Sequence, residues 1–260
     1  MGAAKVSLVN HHGQPCIQKQ GASAVEIHFY QHAADKLTGV NTPRLLDVCN
    51  DTLYIEQIPH QVTLADLLKN TNTFEQLASI HQTQYRPDFA VKTHRWQAED
   101  TEKALRSLAL SNQNANSIRA LQTMSGEIFE HDGLISGDSN EGNWGTRASG
   151  ELVLFDWERF GLGSPAIDLA PLVRGLGQLT DYHAIASLYR QHNPLLSNDT
   201  LVRQLILAKG WLIVEVTNLL VSREKQEAKM YIDWYRKQIP NWLKEVEPVL
   251  SWHNEKRPPK

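Results

Sequence analysis

Between Asn143 and Asp156 lie two short apolar runs, Trp144 to Thr146 and Leu152 to Phe155, separated by Ala148-Ser149-Gly150. Strand-length apolar segments bounded by small turn-forming residues read as a β-hairpin. An amide stands at its entrance and an acid at its exit, and a further acid, Asp138, precedes the amide by five residues. Acid, amide, hairpin, acid is the layout of a phosphoryl-transfer site. Asp138 can take or orient the proton of a substrate hydroxyl, while Asn143 and Asp156 offer the hard oxygens that Mg²⁺ prefers. Such chemistry asks little covalent help of the protein; it asks for aligned reactants and neutralised phosphate charge.

Bulk properties narrow the alternatives. The chain has 260 residues, 41% of them hydrophobic, enough for a large core in one domain or two. A net charge of −3 gives no electrostatic case for a nucleic-acid partner. Two cysteines, Cys16 and Cys49, lack metal-ligand spacing and fit a reduced, cytoplasmic setting. Residues 1–9 lack the apolar run of a signal peptide. The most membrane-like stretch, Leu201 to Val221, contains Arg203, Gln204, Lys209 and Glu215. Those groups make insertion costly, so the stretch is expected to be a buried helix, with no membrane partner.

The first sixty residues are strand-rich with one helix. Lys5 to Asn10 and Pro15 to Gln20 read as strands around a turn at His12-Gly13-Gln14, and Ser23 to Lys36 as a helix ended by Asn41-Thr42-Pro43. Arg44 to Val48 and Thr52 to Ile58 form a second strand pair about Asn50-Asp51. Beyond Pro59 the pattern turns helical: Thr63 can cap a helix with Asp66 three residues on, and Phe74 to Gln82 and Ala98 to Ile128 carry helical periodicity. From Ala166 onward the chain is again helical, with interruptions expected at Asn193-Pro194 and Ile239-Pro240 and a frayed tail from His253.

These features resemble the aminoglycoside phosphotransferase and choline kinase superfamily, the small-molecule branch of the protein-kinase-like fold. Its members read His-Gly-Asp, an Asn five after the Asp, an apolar strand ending in Asp-Trp/Phe-Glu, then Asp-Pro-x-x-Asp-Leu-Ala. This chain reads Ser136-Gly137-Asp138, Asn143, Phe155-Asp156-Trp157-Glu158 and Ser164-Pro165-Ala166-Ile167-Asp168-Leu169-Ala170. The resemblance implies an α+β bilobal fold: a small, β-rich and apparently shortened N-lobe over residues 1–59 that binds nucleotide, and a larger helical C-lobe over 60–260 with the catalytic loop and acceptor-binding helices. It implies ATP and Mg²⁺ as cofactors and a small-molecule hydroxyl as acceptor. Lys19, on a β-like run, and Glu26, on the next helix, match the family's phosphate-binding Lys–Glu pair, with Lys5 as a competitor for the phosphate role. Glu56 and Ile58, on the strand that begins the lobe hinge, would offer backbone groups to the adenine edge. Asp168 matches a buried acid that braces the catalytic loop, and His81 is expected as a packed structural residue.

Two departures stand out. Ser136 replaces the loop His that usually ties the catalytic loop to the metal-binding segment, and His131 stands too early to replace it. Few residues precede Lys19, so the first strand and most of a glycine-rich phosphate loop are expected to be missing or very short, with Gly2-Ala3-Ala4 as the remnant of that loop. The expectation is an ATP-dependent small-molecule kinase with reduced or retuned activity. A binding protein that keeps the fold without turnover is the alternative. A protein kinase is disfavoured, as no Ala-Pro-Glu segment follows Asp156. For the acceptor, Trp211, Tyr231, Trp234 and Tyr235 with Glu215, Glu224, Glu227 and Asp233 read either as ordinary helix packing or as a cation–π box for a quaternary ammonium.

Overall fold

The computed structural model describes residues 4–223 and 228–251. Gly2, Ala3, Glu224, Glu227 and the tail from His253 therefore lie outside the described residues. In chain order the elements are β1 (Lys5–His11), β2 (Gln14–Gln20), α1 (Ala24–His28), β3 (Leu45–Cys49), β4 (Thr52–Glu56), β5 (His60–Gln61), α2 (Leu64–Lys69), α3 (Thr71–Gln82) and β6 (Lys92–Thr93). Helices α4 (Ala98–Leu108), α5 (Asn112–Thr123) and α6 (Gly126–Phe129) follow. The chain then returns to strands, β7 (Leu134–Ile135), β8 (Trp144–Thr146), β9 (Leu152–Leu154) and β10 (Gly161–Leu162), before α7 (Pro165–Leu169). Long helices close it: α8 (Leu179–Arg190), α9 (Asn198–Ser222) and α10 (Ala228–Ser251). The mixed α+β class is the one the sequence implies.

Two compact units share the chain. The first combines Met1–His94, His131–Leu172 and Gln191–Asn193; the second combines Arg95–Glu130, Val173–Arg190 and Pro194–Lys260.

In the first unit an antiparallel sheet runs β1-β2-β4-β3. Its register pairs Val6 with Lys19 and Leu8 with Ile17, and on the other side Lys19 with Leu53 and Ile17 with Ile55. Side chains opposite one another share a face, so these residues form one surface. Leu53 and Ile55 are buried, whereas Val6 and Leu8 remain more than half exposed. The helix expected from Ser23 to Lys36 starts where predicted, with Ser23 Oγ accepting from Glu26 N, but its winding changes. Residues Phe29–Ala33 take a π-turn and Ala34–Lys36 a 3₁₀ turn. The wider turn belongs to a segment whose Phe29 stacks on Trp157 (4.0 Å, 9°) and meets Phe160 edge-on. Two further small sheets complete the unit, β6-β10-β7 and β5-β8-β9. Strands β5, β6 and β10 have two residues each, too short to carry a period-2 signal.

The second unit is helical. The stretch of helical periodicity from Ala98 to Ile128 is three helices: Ala109 takes a left-handed φ of 48° to end α4, and Ser111 caps α5. Helix α9 is long and apolar enough to cross a membrane, but more than half of its most apolar window is buried in the fold. It packs against α4, α5, α8 and α10. The interruption expected at Ile239-Pro240 does not occur, since α10 runs through Pro240 and Pro248. Ile239, Trp242, Leu243, Val246 and Leu250, at the i, i+3, i+4, i+7 and i+11 positions of one helical face, are buried, and that packing offsets the hydrogen bonds the prolines cannot make.

Candidate active site

The β8–β9 register pairs Trp144 with Leu154, so Asn143 and Phe155, one step outward on each strand, also meet. Phe155 N donates to Asn143 O (2.9 Å), which sets Asp156 one residue beyond the amide. Asn143 is buried, and its Nδ2 donates to the Asp138 carbonyl (2.8 Å), which holds its Oδ1 in a defined orientation. Asp156 adopts a left-handed backbone, φ 66°, a conformation costing a non-glycine residue roughly 1 kcal/mol or more. Strain of that kind persists where surrounding contacts impose it, and the fully buried Trp157 beside Asp156, with Nε1 donating to Leu154 O, is one such contact.

Lys19 bridges Glu26 and Asp156. Lys19 Nζ donates to Asp156 Oδ1 (2.7 Å) and lies 2.6 Å from Glu26 Oε2, an ion pair by distance whose angles fall short of an aligned hydrogen bond. Burial works to lower the Lys19 pKa, but Glu26 and Asp156 outweigh it and raise it, so the ammonium stays charged. Burial pushes the Glu26 carboxyl up to about 7 despite the opposing pull of Lys19. Glu26 Oε1 and the nearby Tyr30 hydroxyl have no hydrogen-bond partner among the described residues. One buried acid, one half-buried acid, one ammonium and unfilled acceptor capacity form a site with room for more positive charge.

The loop carrying Asp138 is braced from beneath. Asp168, fully buried, accepts from Ser136 N (2.7 Å), Gly137 N (2.7 Å) and Ser136 Oγ (3.0 Å), and His81 Nε2 lies 3.1 Å from its Oδ2. Three donors on one carboxylate fix the loop. Asn140 Nδ2 donates to Asp138 Oδ1 (2.7 Å), orienting the acid and leaving Oδ2 available to a hydroxyl. Gly137 has φ 80°, and a Cβ there would sit 2.2 Å from Arg159 O, so only glycine fits.

The serine at 136 thus turns its hydroxyl to Asp168. The Asp138 loop is tied to the Asp156 segment by two residues that sequence reasoning missed. Arg159 Nε donates to Gly137 O (3.0 Å), and buried His94, just past β6, binds the Arg159 carbonyl through Nε2 (2.9 Å). Because a carbonyl only accepts, Nε2 carries the proton. Burial, then Arg159, lowers the His94 pKa to about 4, so the ring is neutral near pH 7. Gly161 admits this ring, its Cβ position being 2.9 Å from His94 Nε2. A lone His ahead of a helical run has no motif to announce it.

The hinge-strand residues sit elsewhere in the same unit. The Glu56 carboxylate faces Arg147 in a fork (2.9 and 2.8 Å) and also meets Arg44. The Arg147 bond, more than any other group, lowers its pKa. Glu56 N donates to Arg44 O (2.9 Å), which leaves its backbone donor taken. Ile58 packs over Gly145, where its Cγ2 would meet a Cβ at 2.8 Å. Of the aromatic set, Trp211 is buried edge-on to Phe129, while Tyr231 and Trp234 are largely exposed on α10. Trp211 is therefore a core residue.

Comparison with known proteins identifies the fold and the family. The chain is similar over 96% of its length to a choline/ethanolamine kinase family protein from Mesorhizobium loti, covering 92% of that chain (TM-score 0.63, 12% identity). An aminoglycoside phosphotransferase from Alicyclobacillus acidocaldarius aligns over 98% of this chain and 90% of its own (TM-score 0.61, 15% identity). A complex of APH(2")-IIia with GDP and kanamycin aligns over 91% and 93% (TM-score 0.63, 12% identity). At such identities the likeness is one of fold. No curated protein matches in sequence. The model of the phosphotransferase enzyme family, however, matches residues 17–193, which takes in Lys19, Glu26, Asp138, Asn143, Asp156 and Asp168. The chain belongs to the phosphotransferase enzyme family.

Proposed function

We propose that this protein is an ATP- and Mg²⁺-dependent kinase that phosphorylates a hydroxyl of a small molecule. The observation that carries the reading is the bridge that Lys19 makes between Glu26 and Asp156, the latter one residue beyond the partner of Asn143. Residues 1–59 hold the nucleotide, and residues 60–260 supply the catalytic loop and the acceptor-binding helices.

The donor set fits the cofactors. Asp156 and Asn143 provide the oxygen ligands Mg²⁺ favours, and the unfilled Glu26 oxygen leaves this cluster of acids short of positive charge. Held by Asn143 and Asp156, the metal would supply neutralisation of the phosphate charge. Lys19, anchored by Glu26, contacts the α/β-phosphates. Val6 and Leu8, exposed and apolar on the face of Lys19, cover the base, with the Glu56 carbonyl and Ile58 at its edge. Asp138 Oδ2 accepts the proton of the acceptor hydroxyl while Asn140 holds Oδ1. The tie through Arg159 and His94 supports an enzyme rather than a binding protein, because it restores the connection that Ser136 alone would leave open.

An ATP-consumption screen across amino alcohols, aminoglycosides, macrolides and vitamins tests the proposal. Turnover with one acceptor class is expected, reduced about 10²- to 10⁴-fold in Asp138→Asn. Mg²⁺-ATP binding without turnover on any acceptor would instead favour a nucleotide-binding protein. Undiminished activity in Asp138→Asn would remove Asp138 from the role of base.

A further inference from the structure

Two adjacent histidines close β1 and open its turn, and the structure sets both beside Asp47 on β3. One ligand atom from each of His11, His12 and Asp47 falls within 4.8 Å of the other two. His11 Nε2 and Asp47 Oδ2 are 2.9 Å apart, and the two imidazole centroids are 4.1 Å apart.

The surroundings orient these donors. Asp47 Oδ1 accepts from Val48 N (2.8 Å), which turns Oδ2 toward His11. The β3–β4 register shifts between Leu45 and Asp47, an irregularity that re-aims the Asp47 side chain. The His11 ring lies flat on Tyr54 (4.0 Å, 15°), and the Tyr54 hydroxyl accepts from Gln18 (2.9 Å). His12, exposed at the turn with φ 50°, can swing its ring without disturbing the sheet. Two rigid donors and one adjustable one suit capture of an ion.

We propose that His11, His12 and Asp47 form a binding site for a divalent transition cation of the Zn²⁺ class, with water completing its coordination. Two imidazoles and a carboxylate suit Zn²⁺, Ni²⁺ or Cu²⁺, whereas Mg²⁺ and Ca²⁺ favour all-oxygen sites. The cation takes the place of the proton shared by His11 and Asp47. It sets the three donors about 3.3 Å from one another, opening the His11–Asp47 pair slightly and bringing His12 to it, the spacing that bonds of about 2.0 Å impose at tetrahedral angles. Bound there, it links β1 to β3, the two edges of the sheet. Alternation along β1 puts His11 on the face opposite Val6 and Leu8, and so opposite Lys19. The site is thus separate from the candidate active site and stands whether or not the kinase reading does.

Titration of the full chain with ZnCl₂ by calorimetry, in a fixed excess of MgCl₂ to keep all-oxygen sites filled, tests the proposal. One saturating equivalent is expected. His12→Asn, which tolerates the left-handed turn, and Asp47→Asn should each weaken it about tenfold or more. The double variant His28→Ala/His32→Ala, which removes the other neighbouring histidine pair of this unit, should leave it unchanged. Absence of a saturating equivalent, an affinity that either single variant leaves unaltered, or loss of binding in the His28/His32 variant would each overturn the site.

Discussion

Among the described residues, each compact unit buries one lysine, and the two are treated in opposite ways. Lys19 in the first unit touches two carboxylates, at 2.6 and 2.7 Å, and its pKa rises. Lys209 in the second unit, in the middle of α9, donates to a single carbonyl, Val173 O (2.8 Å), and burial lowers its pKa to about 7. Carboxylates compensate the desolvation of an ammonium; one carbonyl dipole does not. The first unit therefore maintains a permanent buried charge at the phosphate contact proposed above, and the second tolerates a lysine close to neutrality inside a helical core. The same residue type marks a site in one place and a packing compromise in the other.

The strongest way to break this contrast is to remove the charge at Lys19. Lys19→Met leaves Glu26 buried without a cation, which should destabilise the first unit by about 3–5 kcal/mol and abolish measurable Mg²⁺-ATP binding. Denaturant unfolding and a fluorescent-nucleotide titration check both effects. Adding Glu26→Gln should recover much of the stability but not the binding, and recovery of binding would show that Lys19 does not hold phosphate.

Lys209→Met probes the other side. The Lys209 pKa is about 7 in the folded chain and near the ordinary lysine value when unfolded. Between those values the unfolded chain binds the extra proton, so this lysine's contribution to stability rises with pH across that window. Below pH 7 the cost of burying the charge is fully present. The stability of the native chain relative to Lys209→Met should thus increase from pH 7 to 10, by on the order of 3 kcal/mol. A difference that stays flat with pH would mean Lys209 is charged when folded, like Lys19.

Smaller effects sharpen the account of the first unit. His94→Phe removes the donor to Arg159 O while keeping a ring in the space beside Gly161. The Mg²⁺ concentration needed for half-maximal nucleotide binding should rise about tenfold, with His94→Gln restoring most of it. A purely structural histidine would change melting temperature without changing the Mg²⁺ requirement. Ser136→Ala deletes one of the hydrogen bonds on Asp168 and leaves the two backbone donors, so about 1 kcal/mol of stability should be lost.

Local chemistry was legible wherever a short motif carried it. The hairpin between Asn143 and Asp156, the capping box of Thr63 and Asp66, and the strands around Lys19 follow from turn residues, side-chain caps and β-propensity within a few positions. Misreadings arose where tertiary packing overrode a local rule. Proline did not end α10 because its apolar face is buried, and the π-turn after α1 belongs to a segment anchored by Phe29 on Trp157. Glu56 could be placed on its strand, but not in the grip of Arg147, which comes 91 residues later.

Sequence alone determined the chemical inventory: an acid that can serve as base, an amide and an acid suited to a metal, a lysine and a glutamate upstream, and an apolar budget sufficient to fold them. Tertiary structure decided how the inventory is held together. It turned Ser136 toward Asp168 and recruited Arg159 and His94, separated from each other by 65 residues, to join the loop to the Asp156 segment. Motifs record residues that act near one another along the chain, whereas a hydrogen bond to a distant backbone carbonyl leaves no trace in its partner's side chain. For that reason the reactive groups can be read from the letters, while the residues that steady them emerge only from the fold.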